Sequence, residues 1–419
     1  MPGASGLLLD HRPGAGPLPN MTDTTDITLI AGAPARPGLW VFSTLFFIEA
    51  MARASLATVI PLQTYELLRD ARYVSYLGFA VALGGLFAGL GVPMLIARIS
   101  RRWTYTLGAS CLIAAAFAFA AQSLAGQIAG IAIRNFGVLC INIALMLYIM
   151  DFVRRHDLVR NDSRRMAVAT VGWTIGPYLG VWLYERIGPF AAFGWSAGWA
   201  LVLIAVFWYF RLSDTSTIIP AKTPPANPLD FVPRFLAQPR LILAWMIAFG
   251  RSGYWGMLFT YGAILMTKTG QGAEAAGILI SLSQVLLVSA LLWGRIGGQI
   301  GLRPTIALCF AGMSLTLIAA GLVGEQAPLV AGAILLATSF FAVGLDAVGG
   351  VPFYRSVRAR ERAPMTAVYR TYLDIGDLLP NLVFGIVLMW FPLGGVFAAY
   401  GLACAMYGWI CWRWLPKGL

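Results

Sequence analysis

Residues 39–62 read LWVFSTLFFIEAMARASLATVIPL. As a helix rising ~1.5 Å per residue, this run is long enough to cross a ~30 Å hydrocarbon layer. It is apolar nearly all round, apart from one pair of opposite charges. Glu49 and Arg53 stand four residues apart and therefore share a helix face. Counted from Trp40, they lie ~14 and ~20 Å along the helix, at hydrocarbon depth. A charge at that depth is costly and almost always faces protein or water. The stretch predicts a membrane helix with one polar face.

Comparable apolar runs recur at 74–96, 104–124, 128–150, 166–184 and 190–210, then at 241–266, 276–296, 304–323, 329–353, 365–390 and 396–414. The segment 212–238 between the two sets is polar and carries Pro220, Pro224, Pro225, Pro228 and Pro233. No membrane helix fits there, and it reads as a cytoplasmic linker. Residues 1–37 are rich in Gly, Pro, Thr and Asp and read as a disordered cytoplasmic tail, with Met21 a second candidate start. The expected fold is an all-α membrane protein of twelve transmembrane helices in two pseudo-symmetric six-helix halves, 38–211 and 239–419.

Composition agrees. Of 419 residues, 59% are hydrophobic without Gly and 11% are charged. Soluble domains reach about 45–50% only with Gly counted and carry about 25% charge. These values exclude a soluble enzyme, a disordered chain and a nucleic-acid-binding domain. The 46 glycines suit close helix packing in lipid. Barrel strands would alternate over ~10 residues, and these runs do not. Five cysteines (Cys111, Cys140, Cys309, Cys404, Cys411) sit in apolar runs without a C-x-x-C pair and read as small packing residues.

The net charge of +12 is a topology signal. With the N-terminus inside, 22 of the 30 Lys and Arg fall in cytoplasmic segments, and four lie inside spans. The four outside are Arg69, Arg72, Arg186 and Lys268. Positive residues favour the cytoplasmic side, so both termini are expected there, in a bacterial-type inner membrane. The halves also repeat. Arg53 and Arg251 are 198 residues apart, Arg102 and Arg303 are 201 apart, and Met166 and Met365 are 199 apart. Two parallel six-helix repeats with a midplane site are a transporter layout.

With those residues in place, the chain resembles the major facilitator superfamily across roughly 38–415. The family's loop between spans 2 and 3 reads G-x-x-x-D-R-x-G-R-R. Here Arg98, Arg101 and Arg102 match, while Pro93, Ala97 and Ser100 replace the first Gly, the Asp and the second Gly. The second-half loop keeps Gly294, Gly301 and Arg303, with Gly298 and Gln299 at the Asp-Arg positions. The resemblance implies a cytoplasmic gating role for these loops, without the Asp contacts. Span 5 holds Gly172, Gly176, Pro177 and Gly180, similar to the family's antiporter motif G-x-x-x-G-P-x-x-G-G, with Val181 at its last Gly. Physically, small residues four apart flatten a helix face, and Pro opens the backbone ladder. Arg134 followed by Gly137 looks like a shortened form of the span-4 motif associated with proton coupling. The resemblance implies that spans 1, 4, 7 and 10 line the cavity and favours export against protons.

Those four spans carry Glu49 and Arg53, Arg134, Arg251, and Asp346, while span 11 adds Arg370, Asp374 and Asp377. Candidate substrate ligands are Glu49, Arg53, Arg134, Arg251 and Trp255, the last one turn from Arg251. Arg stays protonated and cannot carry a coupling proton. His11 and His156 both lie outside the spans, so carboxylates are the candidates: Asp346, Asp374 and Asp377. Asp346 has no basic neighbour on its own helix, and Asp377 is seven residues from Arg370, which favours these two. No metal-ligand spacing is present, and no cofactor is expected.

The reading is a proton-coupled exporter of a small organic solute, functional as a monomer in lipid, with no nucleic-acid partner. Its alternatives are uptake of a small anion by symport, a membrane-embedded enzyme, and a non-transporting sensor. An enzyme lacks support, because no H-E-x-x-H, G-x-S-x-G or His cluster occurs.

Overall fold

The computed structural model describes residues 39–152, 158–210, 231–357 and 362–416. The expected tail lies outside them, as does most of the linker. Among the described residues the chain is helical, with no strand. Ten helical stretches are long and apolar enough to cross a membrane.

Span 1 begins as α1 (Leu39–Ala54), turns through Ser55–Thr58, and continues as α2 (Val59–Leu68). Pro61 explains the turn. It has no N–H to offer Ala57, and its ring crowds that carbonyl. Bonds to the third residue back replace helical ones here, with the Leu56 N–H reaching Arg53 O at 3.3 Å and the Ala57 N–H reaching Ala54 O at 3.1 Å. Spans 2 and 3 form α3 (Ala71–Ala120), broken at Ser100, whose φ of 74° and ψ of 161° are not helical. Gly301, at the matching place in the second half, has φ 90° and ψ 161°. The two breaks thus share one backbone conformation, and only one of them is a glycine.

The first half is completed by α4 (Leu124–Phe152), α5 (Leu158–Arg186) and α6 (Pro189–Tyr209). The linker region ends in an ordered short helix, α7 (Val232–Leu236), whose Phe235 is buried in a cluster with Leu241, Phe353 and Met365. Span 7 is α8 (Pro239–Met257), a wide π-turn at Leu258–Gly262, and α9 (Ala263–Lys268). Span 8 is α10 (Gly272–Val285), a tight turn at Leu286–Ser289, and α11 (Ala290–Ile300). Then follow α12 (Leu302–Val323), α13 (Pro328–Val348) with α14 (Val351–Ser356), α15 (Arg362–Tyr369) with α16 (Thr371–Trp390), and α17 (Gly394–Trp414). The passages that fall short as membrane candidates are α5 and α8 to α9. In the first, Gly, Thr, Trp, Tyr and Pro dilute the hydrophobicity; in the second, Arg240, Arg251 and the Gly, Ser, Tyr and Trp beside Arg251 do so.

Packing between the halves differs along the helices. The α2 part of span 1 packs on α9 and the π-turn, and α10 packs on α5. By contrast α1 packs on α5 and α6, and α8 on α13, α14, α16 and α17. The apolar core follows suit. One buried cluster joins Leu56, Phe119 and Val181 of the first half to Tyr261, Leu279 and Phe384 of the second. Toward the other end the core divides into separate clusters, one around Tyr105 and Phe207, the other around Phe353 and Tyr369. The halves are joined at the end that bears Asp70, Arg186 and Lys268. Large apolar side chains such as Phe87, Leu315 and Trp390 stand exposed around the outside, where lipid rather than water is their solvent.

Candidate solute pathway between the halves

Charged side chains lie along the inner faces of both halves below the joined end. In the first half, Arg53 Nη1 is 2.9 Å from Glu49 Oε1. The guanidinium side chain is 24% exposed, whereas the Glu49 side chain is 1% exposed, so the cation is the member turned outward from the pair. Its centre lies 5.9 Å from the Trp173 ring. Arg134 Nη2 donates to Arg53 O at 3.1 Å. That carbonyl sits at the span-1 turn and also takes the Leu56 N–H, so Arg134 is its second donor. Ser196 Oγ donates to Ala52 O at 2.7 Å in the same manner.

The second half is built differently. Arg251 Nη1 is 2.5 Å from Asp346 Oδ1 on α13, and its Nη2 donates to the Tyr372 hydroxyl on α16 at 3.1 Å. Trp255 Nε1 donates to Asp346 Oδ2 at 3.1 Å. Arg251 therefore ties three helices, and Trp255 holds the carboxylate from one turn away. Asp346 gains from span 7 the basic neighbour that its own helix lacks. The Nε atoms of both Arg53 and Arg251 are buried without a hydrogen-bond partner in the structure. Asp377 is exposed and makes no ion pair among the described residues. It faces Gly256, whose absent Cβ would lie 4.0 Å from Asp377 Oδ1, and it feels the charges of Asp374 and Arg53. Sequence reasoning missed Trp173 and Tyr372. Both are aromatic residues next to, or two residues from, positions already singled out, Gly172 and Arg370.

Gly172, Gly176 and Gly180 fit α5 against α1. A Cβ on Gly172 would lie 3.2 Å from Ala50 Cβ, one on Gly176 2.7 Å from Ala54 Cβ, and one on Gly180 would run into Ser55 O. The stripe brings span 5 against the backbone that carries Arg53, and Trp173 beside Gly172 then meets the guanidinium. Pro177 loosens the ladder above it, and the following N–H, from Tyr178, donates to Ser281 Oγ of span 8 at 3.0 Å. Across the seam, Trp173 also meets Phe259 edge-on at 5.7 Å. Further toward the joined end, the Ser75 and Tyr261 hydroxyls are 2.6 Å apart, Tyr76 OH donates to Gly385 O at 3.4 Å, and Arg186 Nε is 2.7 Å from Glu274 Oε1.

The gating-loop residues brace their own halves. Arg102 lies over Trp208 at 3.6 Å and Arg303 over Trp412 at 4.9 Å. The start of span 3 is pinned to the end of span 6, and span 9 to span 12 likewise. Arg98 is exposed, Arg101 is half-buried, and Gly294 has open space where a Cβ would stand. Among the described residues no group of three or more His, Cys, Asp or Glu could hold a metal ion.

A family model described as Major Facilitator Superfamily matches residues 42–376. The chain belongs to the Major Facilitator Superfamily. The fold also matches solved transporters. A nucleoside transporter, NupG, superposes with a TM-score of 0.70 at 14% identity, over 90% of this chain and 98% of its own. A POT family transporter in complex with 5-aminolevulinic acid gives 0.75 at 12%, covering 92% and 98%. A D-xylose–proton symporter gives 0.66 at 12%, covering 90% and 97%. A search of curated proteins by sequence finds no match. As a superfamily member, this multi-pass membrane protein is a secondary transporter and not an enzyme.

Proposed function

We propose that the protein exports a small organic solute across the inner membrane in exchange for protons, by alternating access between the halves 38–211 and 239–419, with both termini cytoplasmic and one copy as the working unit in lipid. The observation that carries proton coupling is Asp377, an exposed carboxylate on span 11 without an ion-pair partner among the described residues, facing span 7. A group that gains and loses a proton as access alternates must not be locked in a pair, and Asp377 meets that condition better than Asp346. The antiporter-like stripe of span 5 supports export. In this reading Arg53, Arg251 and Trp255 meet the solute and Arg134 positions Arg53. The solved symporter relative is itself coupled to protons by name. A second reading, uptake of a small anion by symport, is favoured by the outward-turned Arg53 beside its hidden Glu49.

Proteoliposomes with an imposed pH gradient, loaded with a mixture of small metabolites and sampled by mass spectrometry, identify the solute and its direction. Asp377→Asn is then expected to lose gradient-driven flux and to keep exchange of the same solute. Full driven flux in that variant removes Asp377 from coupling. Movement inward with protons selects the symport reading.

A further inference from the structure

At the joined end the halves meet around a cavity of about 310 Å³. Arg69, Asp70 and Arg72 of the first half line it, together with Lys268 of the second, beside Leu388 and Phe391. Basic residues are scarce on this face of the molecule. Three of the four cations that the charge count places there line this one cavity, and Arg186 is the fourth.

The carboxylates nearby are largely committed. Asp70 caps α3, accepting the Arg72 N–H at 2.8 Å and its Nε and Nη2 at 2.9 and 2.5 Å. The hydrogen bond from the Arg72 side chain holds the Asp70 carboxyl below its usual range, and Lys268 adds to this from the other half. Glu325 takes Lys268 Nζ at 2.7 Å and the Leu393 N–H at 3.3 Å. Glu66 is the carboxylate whose charge reaches Arg69, but it accepts from Tyr184 OH at 3.3 Å. Arg69 makes no ion pair and no side-chain hydrogen bond among the described residues. Its φ of 57° is left-handed, a conformation that costs an ordinary residue about 1–2 kcal/mol. The N-terminus of α3 adds its own positive potential to this wall.

We propose that this cavity binds a phosphate-type oxyanion, which bridges Arg69 and Arg72 of one half to Lys268 of the other and favours the state closed at this end. Guanidinium forks match phosphate oxygens two at a time, and a lysine adds a point charge. Because the two halves each supply part of the wall, opening this end takes the site apart. A ligand that binds only one of two states shifts the population toward it. The phosphate can be a free ion, or a lipid headgroup whose chain lies along Leu388 and Phe391.

The test uses the full chain in lipid-free micelles, titrated with sodium phosphate against sodium chloride at equal ionic strength. Spin labels at Ile187→Cys and Gln326→Cys report separation of the halves at this end, and melting reports binding. Phosphate is expected to raise the melting temperature and to enrich the short label distance. Arg69→Gln and Lys268→Gln are each expected to lose most of that response, while Arg240→Gln, an exposed arginine at the other end of span 7, keeps it. Arg69 holds nothing in place, so its variant isolates binding from folding. A parallel arm compares phosphatidylcholine nanodiscs with and without phosphatidylglycerol in phosphate-free buffer. A response in micelles identifies a soluble anion, and one confined to phosphatidylglycerol discs identifies a headgroup. No response in either arm, or a response retained in both glutamine variants, overturns the proposal.

Discussion

Arg53 and Arg251 stand 198 residues apart at matching places in the two halves, yet they are held in different ways. Arg53 pairs with Glu49 one turn back on its own helix, so the pair travels with α1 as a unit. Arg251 reaches Asp346 and Tyr372, so it fastens span 7 to spans 10 and 11. Neither network crosses the seam. Beside the buried apolar cluster, what crosses it among the described residues is a hydroxyl pair, single hydrogen bonds, an aromatic edge contact and the solvent-exposed Arg186–Glu274 pair. Net contributions of such bonds are about 0.5–1.5 kcal/mol each, and of exposed ion pairs about 0–1 kcal/mol. The buried ion pairs thus stay within each half, while the boundary that must part during transport is made of apolar packing and weak polar contacts.

The sharpest way to break this contrast is Arg251→Gln. It is expected to abolish flux and to destabilise by about 1.5–3 kcal/mol, the range for hydrogen bonds to charged groups. Adding Asp346→Asn removes the stranded carboxylate and should recover part of the melting temperature without recovering flux. If the double variant melts no higher than the single one, the three-helix tie is not what Arg251 provides.

Next comes the seat of Arg53. Gly180→Ala would drive a methyl into Ser55 O, and overpacking of this kind costs about 1–3 kcal/mol. Gly194→Ala on α6 has open space around it and should be silent. Equal melting temperatures for the two variants would deny the close approach of α5 to α1.

Arg53→Gln is expected to destabilise less than Arg251→Gln, by about 1 kcal/mol, because its one ion-pair partner is on its own helix. It takes the guanidinium away from buried Glu49, so Glu49→Gln in the same chain should restore part of the stability. Flux should fall in both. Normal flux in the double variant would remove this pair from the pathway.

The smallest effect concerns the paired breaks. Ser100→Gly should stabilise by about 1 kcal/mol, since its φ and ψ lie in a region nearly exclusive to glycine, and Gly301→Ser should destabilise by a similar amount. Transport should be unchanged in the first. A loss of stability in Ser100→Gly would mean that the serine side chain, and not the backbone, holds the break.

Much of the fold was legible because lipid imposes a coarse rule: long apolar runs, with basic residues sorted by side. The repeat was legible too, from Arg53 with Arg251 and Arg102 with Arg303, because charges at depth are rare enough to serve as markers. The partners were not. Asp346 meets Arg251 across 95 residues of sequence, and nothing local to either foretells it. Tyr372 and Trp173 look like the many aromatic packing residues of any membrane helix until the neighbouring arginine is placed. Nor was the bond from Arg134 to Arg53 O foreseeable, since it joins span 4 to the turn of span 1 across 81 residues. Only the turn was signalled, by Pro61 four residues past Ala57, in a run otherwise read as one continuous helix.

The glycine stripe of span 5 has a consequence for how the chain is made. Its residues bring two backbones into contact, but they also thin the apolar content that a ribosome-bound translocon reads as a cue for lateral release. Leu124–Ile149 before it and Pro189–Tyr209 after it meet the measure for a membrane segment, and α5 between them does not. Span 5 is therefore expected to depend on its neighbours for entry into the bilayer and on its seat against α1 for remaining there.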